Sequence, residues 1–396
     1  MAKLSIRDLN LEGRRVFVRV DFNVPLDENL NITNDTRIQA SLPTIRHALA
    51  NQARVILASH LGRPKGKPNS KMSLKPVAAA LQLLLKQPAI MAGDCIGEAV
   101  ESQAKALQNG EVLLLENLRF HPEEEANDSA FSRQLASLCD LYVNDAFGTA
   151  HRAHASTAGM VPFVGQGATG LLMEKELQYL GKAISNPDRP YVAVIGGAKV
   201  SDKIEVIENL IKVVDVLLIG GGMAYTFLVA EDFEVGKSLV ESDKVKLAGS
   251  LLRQAAERQV KVLLPVDHVV AEKLEAAAPS KVTSIQLTPM DWMGLDIGPE
   301  TVARFKAQIA SAKTILWNGP LGVFEMEPFA KGTLAIANAV ADSAATSIIG
   351  GGDSIAAVDK AGVTERISHI STGGGASLEF LSGLKLPGVE ALSNKP

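Results

Sequence analysis

Short runs of branched, apolar residues recur along this chain between longer amphipathic stretches, and that alternation narrows the possible folds more than any other feature. The first half offers Val16-Phe-Val-Arg-Val20, Val55-Ile-Leu-Ala58, Val112-Leu-Leu-Leu115 and Leu141-Tyr-Val143. The second offers Tyr191-Val-Ala-Val-Ile195, Val213-Val-Asp-Val-Leu-Leu-Ile219, Val260-Lys-Val-Leu-Leu264, Thr314-Ile-Leu-Trp317 and Ser347-Ile-Ile349. Near-continuous apolar runs of this length are what strands buried on both faces require. Between them the period is helical: Ile204, Ile207 and Ile211 lie on one face, and Ser201 is placed to cap that helix. Strand and helix in alternation give parallel sheets covered on both sides.

At 396 residues the chain has room for two or three such domains. Gly165, Gly167 and Gly170 loosen it, a helical pattern runs from Leu171 to Ile184, and Asn186-Pro-Asp-Arg-Pro190 breaks that pattern before the next strand. The expected fold is α/β: two doubly wound, Rossmann-like parallel-sheet domains joined by a helix. The expected segments are 1–170 for the first domain, 171–186 for the linking helix, 187–378 for the second domain and 379–396 for a tail too short to fold alone.

Charge matters here for its distribution. The net value of -4 makes no case for nucleic acid or an acidic membrane surface. Yet 11 of the 16 arginines fall in the first 170 residues, and arginine's planar fork suits carboxylate and phosphate. Met1-Ala-Lys-Leu-Ser-Ile-Arg7 lacks the apolar core of a signal peptide, and the uncharged stretch Ala155 to Met173 is broken by four glycines and Pro162. A cytoplasmic protein is expected, with Cys95 and Cys139 as buried, reduced thiols. Glu123-Glu-Glu125 reads as a solvated loop.

In parallel sheets, ligands sit at the carboxyl ends of strands. Polar and cationic groups gather after the strands of the first half: Asp21 and Asn23, then His60 and Arg63, then Arg119, then Asn144, Asp145 and Arg152, with Arg37 near the start of the first helix. One rim carrying four arginines and a histidine suits a small molecule with several negative charges. Glycine follows the strands of the second half instead: Gly196-Gly-Ala-Lys199, Gly220-Gly-Gly222, Asn318-Gly-Pro320, Gly350-Gly-Gly-Asp-Ser354 and Gly373-Gly-Gly375. Glycine lets a ligand touch backbone, and a helix that follows presents free N–H groups to phosphate. Asp353 offers a hard oxygen to Mg2+, while Lys199 and Lys203 offer charge to phosphate. Gly236-Lys-Ser238 resembles the end of a P-loop, but Glu231 stands where its first glycine belongs. Gly165-Gln-Gly167-Ala-Thr-Gly170 is rejected as a dinucleotide fingerprint because Pro162 interrupts the run before it. His151 and His154 lack partners for a zinc site. No nucleophile elbow, zinc set or serine triad is apparent, and direct phosphoryl transfer needs none.

Arg19-Val-Asp-Phe-Asn-Val-Pro25, Ser59-His-Leu-Gly-Arg-Pro64, Glu116-Asn-Leu-Arg-Phe-His-Pro-Glu-Glu-Glu125 and Asn144-Asp-Ala-Phe-Gly-Thr-Ala-His-Arg152 resemble the phosphoglycerate kinase family. So do Gly196-Gly-Ala-Lys-Val-Ser-Asp-Lys203, Trp317-Asn-Gly-Pro320, Gly350-Gly-Gly-Asp-Ser354 and Ser371-Thr-Gly-Gly-Gly-Ala-Ser377, in the same order. The resemblance implies reversible, Mg2+-dependent phosphoryl transfer between 1,3-bisphosphoglycerate and ADP, giving 3-phosphoglycerate and ATP in glycolysis and gluconeogenesis. It implies an acid-substrate site of Asp21, Asn23, Arg37, His60, Arg63, Arg119 and Arg152, with Arg37 also facing the transferring phosphoryl. On the nucleotide side it implies Lys199, Lys203, Gly294, Asn318, Glu325 at the ribose, the amides of Gly351 and Gly352, Asp353 for Mg2+, and Ser354, where many relatives carry threonine. A monomer that hinges closed over an open cleft, with its tail packed on the first domain, is likewise implied. The alternatives are a kinase forming another acyl phosphate, and a non-catalytic nucleotide-dependent regulator.

Overall fold

The computed structural model describes residues 2–395. The chain divides into two compact units, Met1–Gln178 with Lys385–Pro396, and Tyr179–Leu384. The division falls within the helix Leu171–Ser185. Among the described residues no helix is long and apolar enough to cross a membrane.

The first unit is built on β1 (Arg15–Arg19), β2 (Arg54–Ala58), β3 (Ala89–Met91), β4 (Val112–Leu114), β5 (Leu141–Asn144) and β6 (Gly167–Thr169). They form one sheet in the order β3-β4-β2-β1-β5-β6, every pairing parallel. Its strand interiors are apolar because both faces are covered. Val16, Val18, Val55 and Leu57 join one core with Ile38, Leu42 and Val77 from the helices Thr36–Ala50 and Lys75–Leu85. Phe17, Ile56 and Leu113 join another, with Phe131 and Leu135 of the helix Ser129–Ser137.

The second unit repeats the plan. Strands β7 (Tyr191–Ile195), β8 (Val216–Ile219) and β9 (Lys261–Leu263) are followed by a three-stranded antiparallel insert of β10 (Asp267–Ala271), β11 (Ser280–Ser284) and β12 (Met293–Ile297). Strands β13 (Thr314–Asn318), β14 (Thr346–Gly350) and β15 (His369–Ile370) then complete a parallel sheet in the order β15-β14-β13-β7-β8-β9. Trp317, fully buried, anchors its core among Val194, Ile315 and Ile349, and its indole N–H is spent on the Gly319 carbonyl at 2.7 Å.

Three local readings of the sequence need correction. Ser201 does not cap the helix Ile204–Leu210; its N–H and hydroxyl donate to Glu241 at 3.0 and 2.6 Å, and Lys203 occupies the cap position. The run Glu123–Glu125 is not uniformly solvated: Glu124 is fully buried, accepting from Ser156 N and Oγ at 2.9 and 2.5 Å. The antiparallel insert, absent from the expected pair of doubly wound sheets, interrupts the alternation between β9 and β13.

Asp145 stands at the N-terminus of the helix Leu171–Ser185, accepting from the N–H groups of Leu172 and Met173 at 2.9 and 3.2 Å. Burial outweighs those bonds and lifts its carboxyl from 3.8 to about 7. Between those values the native chain holds a proton that the unfolded chain has lost, so this group makes stability fall as pH rises. Asp145→Asn keeps a cap acceptor and removes the titration. Its urea midpoint, compared with the parent at pH 5 and 7.5, is expected to show a gap favouring the variant that grows with pH. A gap independent of pH would contradict this.

Candidate active site

Four neighbouring strands of the first sheet, β4, β2, β1 and β5, end in register: Arg19 pairs with Ala58 on one side and Asn144 on the other, and Leu57 with Leu114. The loops leaving those ends therefore share one rim. Arg37, at the second position of its helix, donates to Asp21 Oδ2 at 2.8 Å and keeps about two-fifths of its side chain exposed. Asn23 Oδ1 accepts from Gly62 N at 2.8 Å, tying the loop after β1 to the loop after β2. Arg119 is buried in the turn Leu118–Phe120. It donates to the Gly62 carbonyl at 3.0 Å and lies 3.2 Å from Glu125, yet its Nη2 has no hydrogen-bond partner. A buried guanidinium nitrogen left without an acceptor marks a position for an anion's oxygen.

His60 is buried among these groups. Desolvation first, then Arg19, Arg119, Arg37 and His154, hold its imidazole well below the usual range, so it is neutral at pH 7. Arg152, half-buried, donates from Nε to His151 Nε2 at 3.1 Å and stands near enough to Arg119 to depress it further. Arg63 is exposed on the loop that carries Gly62. The structure thus gathers Asp21, Asn23, Arg37, His60 and Arg119 into one connected cluster, with Arg152 beside it. Burial of several cations near one another is costly unless negative charge is supplied.

Sequence reasoning missed one member of this cluster. Arg19, inside the apolar run of β1, is almost wholly buried; it donates from Nε to Ser156 Oγ at 2.8 Å and reaches His60 Nδ1 through Nη2 at 3.2 Å. The signal was present: a lone arginine in a strand buried on both faces must point at something polar. Elsewhere in this unit, a cavity of about 480 Å³ is lined by Lys75, Asp94, Glu116 and His121 among others. There His121 Nε2 and Asp94 Oδ1 close a 2.7 Å pair, and the Cys95 thiol behind them is pushed well up by burial, which leaves it an inert thiol.

In the second unit, Ile195, Asn318 and Gly350 are register partners across β7, β13 and β14. The glycine-rich ends of β8, β7, β13, β14 and β15 are consecutive in the sheet and lie on one side of it. Gly351 takes φ 91°, a conformation that glycine adopts without strain, and it turns the chain into the helix Gly352–Lys360. Apart from its chain neighbours and its own turn of helix, no heavy atom lies within 4 Å of where a Gly352 Cβ would be, so its backbone is open to approach. Lys203 donates to Asn318 Oδ1, and burial lowers its ammonium pKa against the raising influence of Asp202 and Asp353. Asn318 is fully buried with Nδ2 unpartnered. Lys199, Glu325 and Asp353 are exposed. Ser354 is committed locally, its Oγ accepting from Gly319 N at 2.6 Å, and Gly294 N donates to Ser238 Oγ at 2.9 Å. The latter bond gives the P-loop-like Ser238 a structural task in place of a phosphate. The rim as a whole fits a magnesium nucleotide: open glycine backbone, a lysine, an orphaned amide donor and a carboxylate on the first turn of a helix.

A family model described as Phosphoglycerate kinase matches residues 6–384. The chain is 63% identical to the phosphoglycerate kinase of Koribacter versatilis, over the whole of both chains, and 64% identical to that of Solibacter usitatus, over 99% of this chain and all of that one. Among solved structures it is similar to phosphoglycerate kinase from Coxiella burnetii, at 44% identity and TM-score 0.92, with 98% of each chain covered. The enzyme from Pyrococcus horikoshii superposes with TM-score 0.84 at 36% identity, again over 98% of each chain.

Proposed function

The chain belongs to the phosphoglycerate kinase family, and on that premise we propose how its two rims divide the work of transferring a phosphoryl group between 1,3-bisphosphoglycerate and ADP. Asp21, Asn23, Arg37, His60, Arg63, Arg119 and Arg152 bind the acid substrate. The observation that carries this is the unpartnered Nη2 of buried Arg119, set among groups whose combined charge calls for an anion. Lys199, Lys203, Gly294, Asn318, Glu325, Gly351, Gly352 and Ser354 form the nucleotide site, supported by the orphaned Asn318 Nδ2 and the open glycine turn beside it. Asp353 holds the nucleotide's Mg2+, which neutralises phosphate charge when bound.

The chemistry asks little of acids and bases. The attacking oxygen of 3-phosphoglycerate is a carboxylate already ionised at pH 7, so no general base is required. What remains is alignment and stabilisation of charge on the equatorial oxygens. Arg37, Lys199, Lys203 and the amides of Gly351 and Gly352 supply that stabilisation. A carboxylate held by one rim meets a phosphate held by the other only when the two units close together, and closure also excludes the water that would hydrolyse an acyl phosphate. The enzyme is proposed to act as a cytoplasmic monomer.

Small-angle scattering tests the closure: saturating 3-phosphoglycerate with MgATP is expected to reduce the radius of gyration more than either ligand alone. An unchanged radius would contradict it. The same sample identifies the acceptor in a coupled ATP-consumption assay. Turnover is expected with 3-phosphoglycerate and not with acetate, carbamate or aspartate, and comparable turnover with one of those three would contradict the assignment.

A further inference from the structure

The chemistry of arginine decides the state of His60. Arg19 ends β1 and is almost wholly buried. Its guanidinium spends Nε on Ser156 Oγ, Nη1 on the Val20 carbonyl and Nη2 on His60 Nδ1, the last at 3.2 Å. A guanidinium has five N–H donors and no acceptor, so His60 Nδ1 must offer its lone pair and the ring proton must reside on Nε2. An imidazolium would set an Nδ1–H against an N–H of Arg19, donor against donor. The cations around His60 all work in the same sense: Arg19 from β1, Arg37 from the helix Thr36–Ala50 and Arg119 from the turn after β4. His154, pushed down to about 4 by burial first, is neutral at pH 7.

The arginine is itself held from behind. Ser156 Oγ accepts from Arg19 and donates to Glu124 Oε1 at 2.5 Å, and Ser156 N donates to Glu124 Oε2 at 2.9 Å. Glu124 therefore balances the buried guanidinium through the serine, leaving Nη2 aimed at the histidine.

We propose that Arg19 is a positioning residue that fixes His60 as the neutral Nε2–H tautomer, making His60 a hydrogen-bond donor to the acid substrate whose strength does not vary with pH. The second half of that statement rests on the placing of His60 in the acid-substrate site; the first does not. Protonation of His60 would add a further cation to a rim already rich in arginine, and the Nδ1–H tautomer would turn a bare lone pair toward the bound anion. Arg19 forecloses both.

The test begins without substrate. Long-range proton–nitrogen NMR on the imidazole-labelled enzyme, with the His60 signals identified by their loss in His60→Gln, is expected to show the Nε2–H pattern unchanged from pH 5.5 to 8. An Nδ1–H pattern, or a midpoint near 6.5, would overturn the proposal. Arg19→Met removes the donor and keeps most of the bulk. Because it leaves Glu124 buried without its cation, the charge-balanced pair Arg19→Met/Glu124→Gln is measured beside it. In either background burial, Arg119 and Arg37 still hold the imidazole neutral. The Nδ1–H tautomer is nevertheless expected to become populated, and the KM for 3-phosphoglycerate to rise about tenfold, the loss of one charge-assisted hydrogen bond. Arg19→Lys, which restores a donor, is expected to recover most of that change with kcat little altered. A His60 that remains wholly Nε2–H in the variants would overturn the role of Arg19. A His60 that shifts to the Nδ1–H tautomer while KM stays at the parental value would overturn the donation to substrate and, with it, the placing of His60 in the site.

Discussion

Arg37→Ala is expected to lower kcat by about 10²- to 10³-fold while changing the KM for 3-phosphoglycerate far less. Arg37 leaves about two-fifths of its side chain exposed and anchors one nitrogen, Nη1, to Asp21, so its other donors are available to a group that arrives from outside the cluster. Arg119, by contrast, is buried and tied to the Gly62 carbonyl, as suits a residue that holds substrate in the ground state. A phosphoryl in flight carries charge on three equatorial oxygens, and a cation that meets it only then contributes to turnover and not to binding. Steady-state kinetics at saturating MgATP separate the two. An unchanged kcat with a raised KM would show that Arg37 serves binding alone.

Lys203→Met should be at least as damaging, for a different reason. Burial works against the Lys203 ammonium, and Asp202 and Asp353 work for it. A cation kept in such a place bonds readily to a phosphate oxygen, because that bond restores what desolvation removed. Its loss also leaves Asn318 Oδ1 without its donor, beside an Nδ2 that already lacks a partner. The expected result is a fall in kcat of about 10²- to 10³-fold with the fold retained. Lys203→Arg is not expected to rescue it, since a planar fork does not replace a compact charge. A variant with near-parental kcat and only weaker nucleotide binding would contradict this role.

Much of this was legible in the sequence because both rims follow from one rule. Strands buried on both faces announce themselves as apolar runs, and in a parallel sheet whatever follows each run falls on the same side. The sequence alone therefore places the residues after β1, β2, β4 and β5 on one rim and the glycines after β7, β8, β13, β14 and β15 on another. What escaped had weaker patterns. Strands β3, Ala89–Met91, and β6, Gly167–Thr169, lack a run of branched apolar residues: Pro88 precedes a single isoleucine in one, and Gly167 and Thr169 flank a lone alanine in the other. Strand β11, Ser280–Ser284, is mostly exposed and polar, held by pairing to β10 and not by an apolar face. Glu124 was hidden between two exposed glutamates, and nothing in that run says that Ser156, 32 residues on, would satisfy it. Long-range polar pairing leaves no local trace, which is also why the link from Arg19 to His60 emerged only from the structure.

The central claim is the division of labour: an arginine-lined rim on one unit for the acid, a glycine-lined rim on the other for the nucleotide. Titration calorimetry with each ligand alone, on the parent, Arg119→Ala and Lys203→Met, tests it most directly. Arg119→Ala is expected to weaken 3-phosphoglycerate about tenfold or more and leave MgADP untouched, with the reverse for Lys203→Met. Either variant weakening both ligands alike, or Arg119→Ala weakening only the nucleotide, would contradict it.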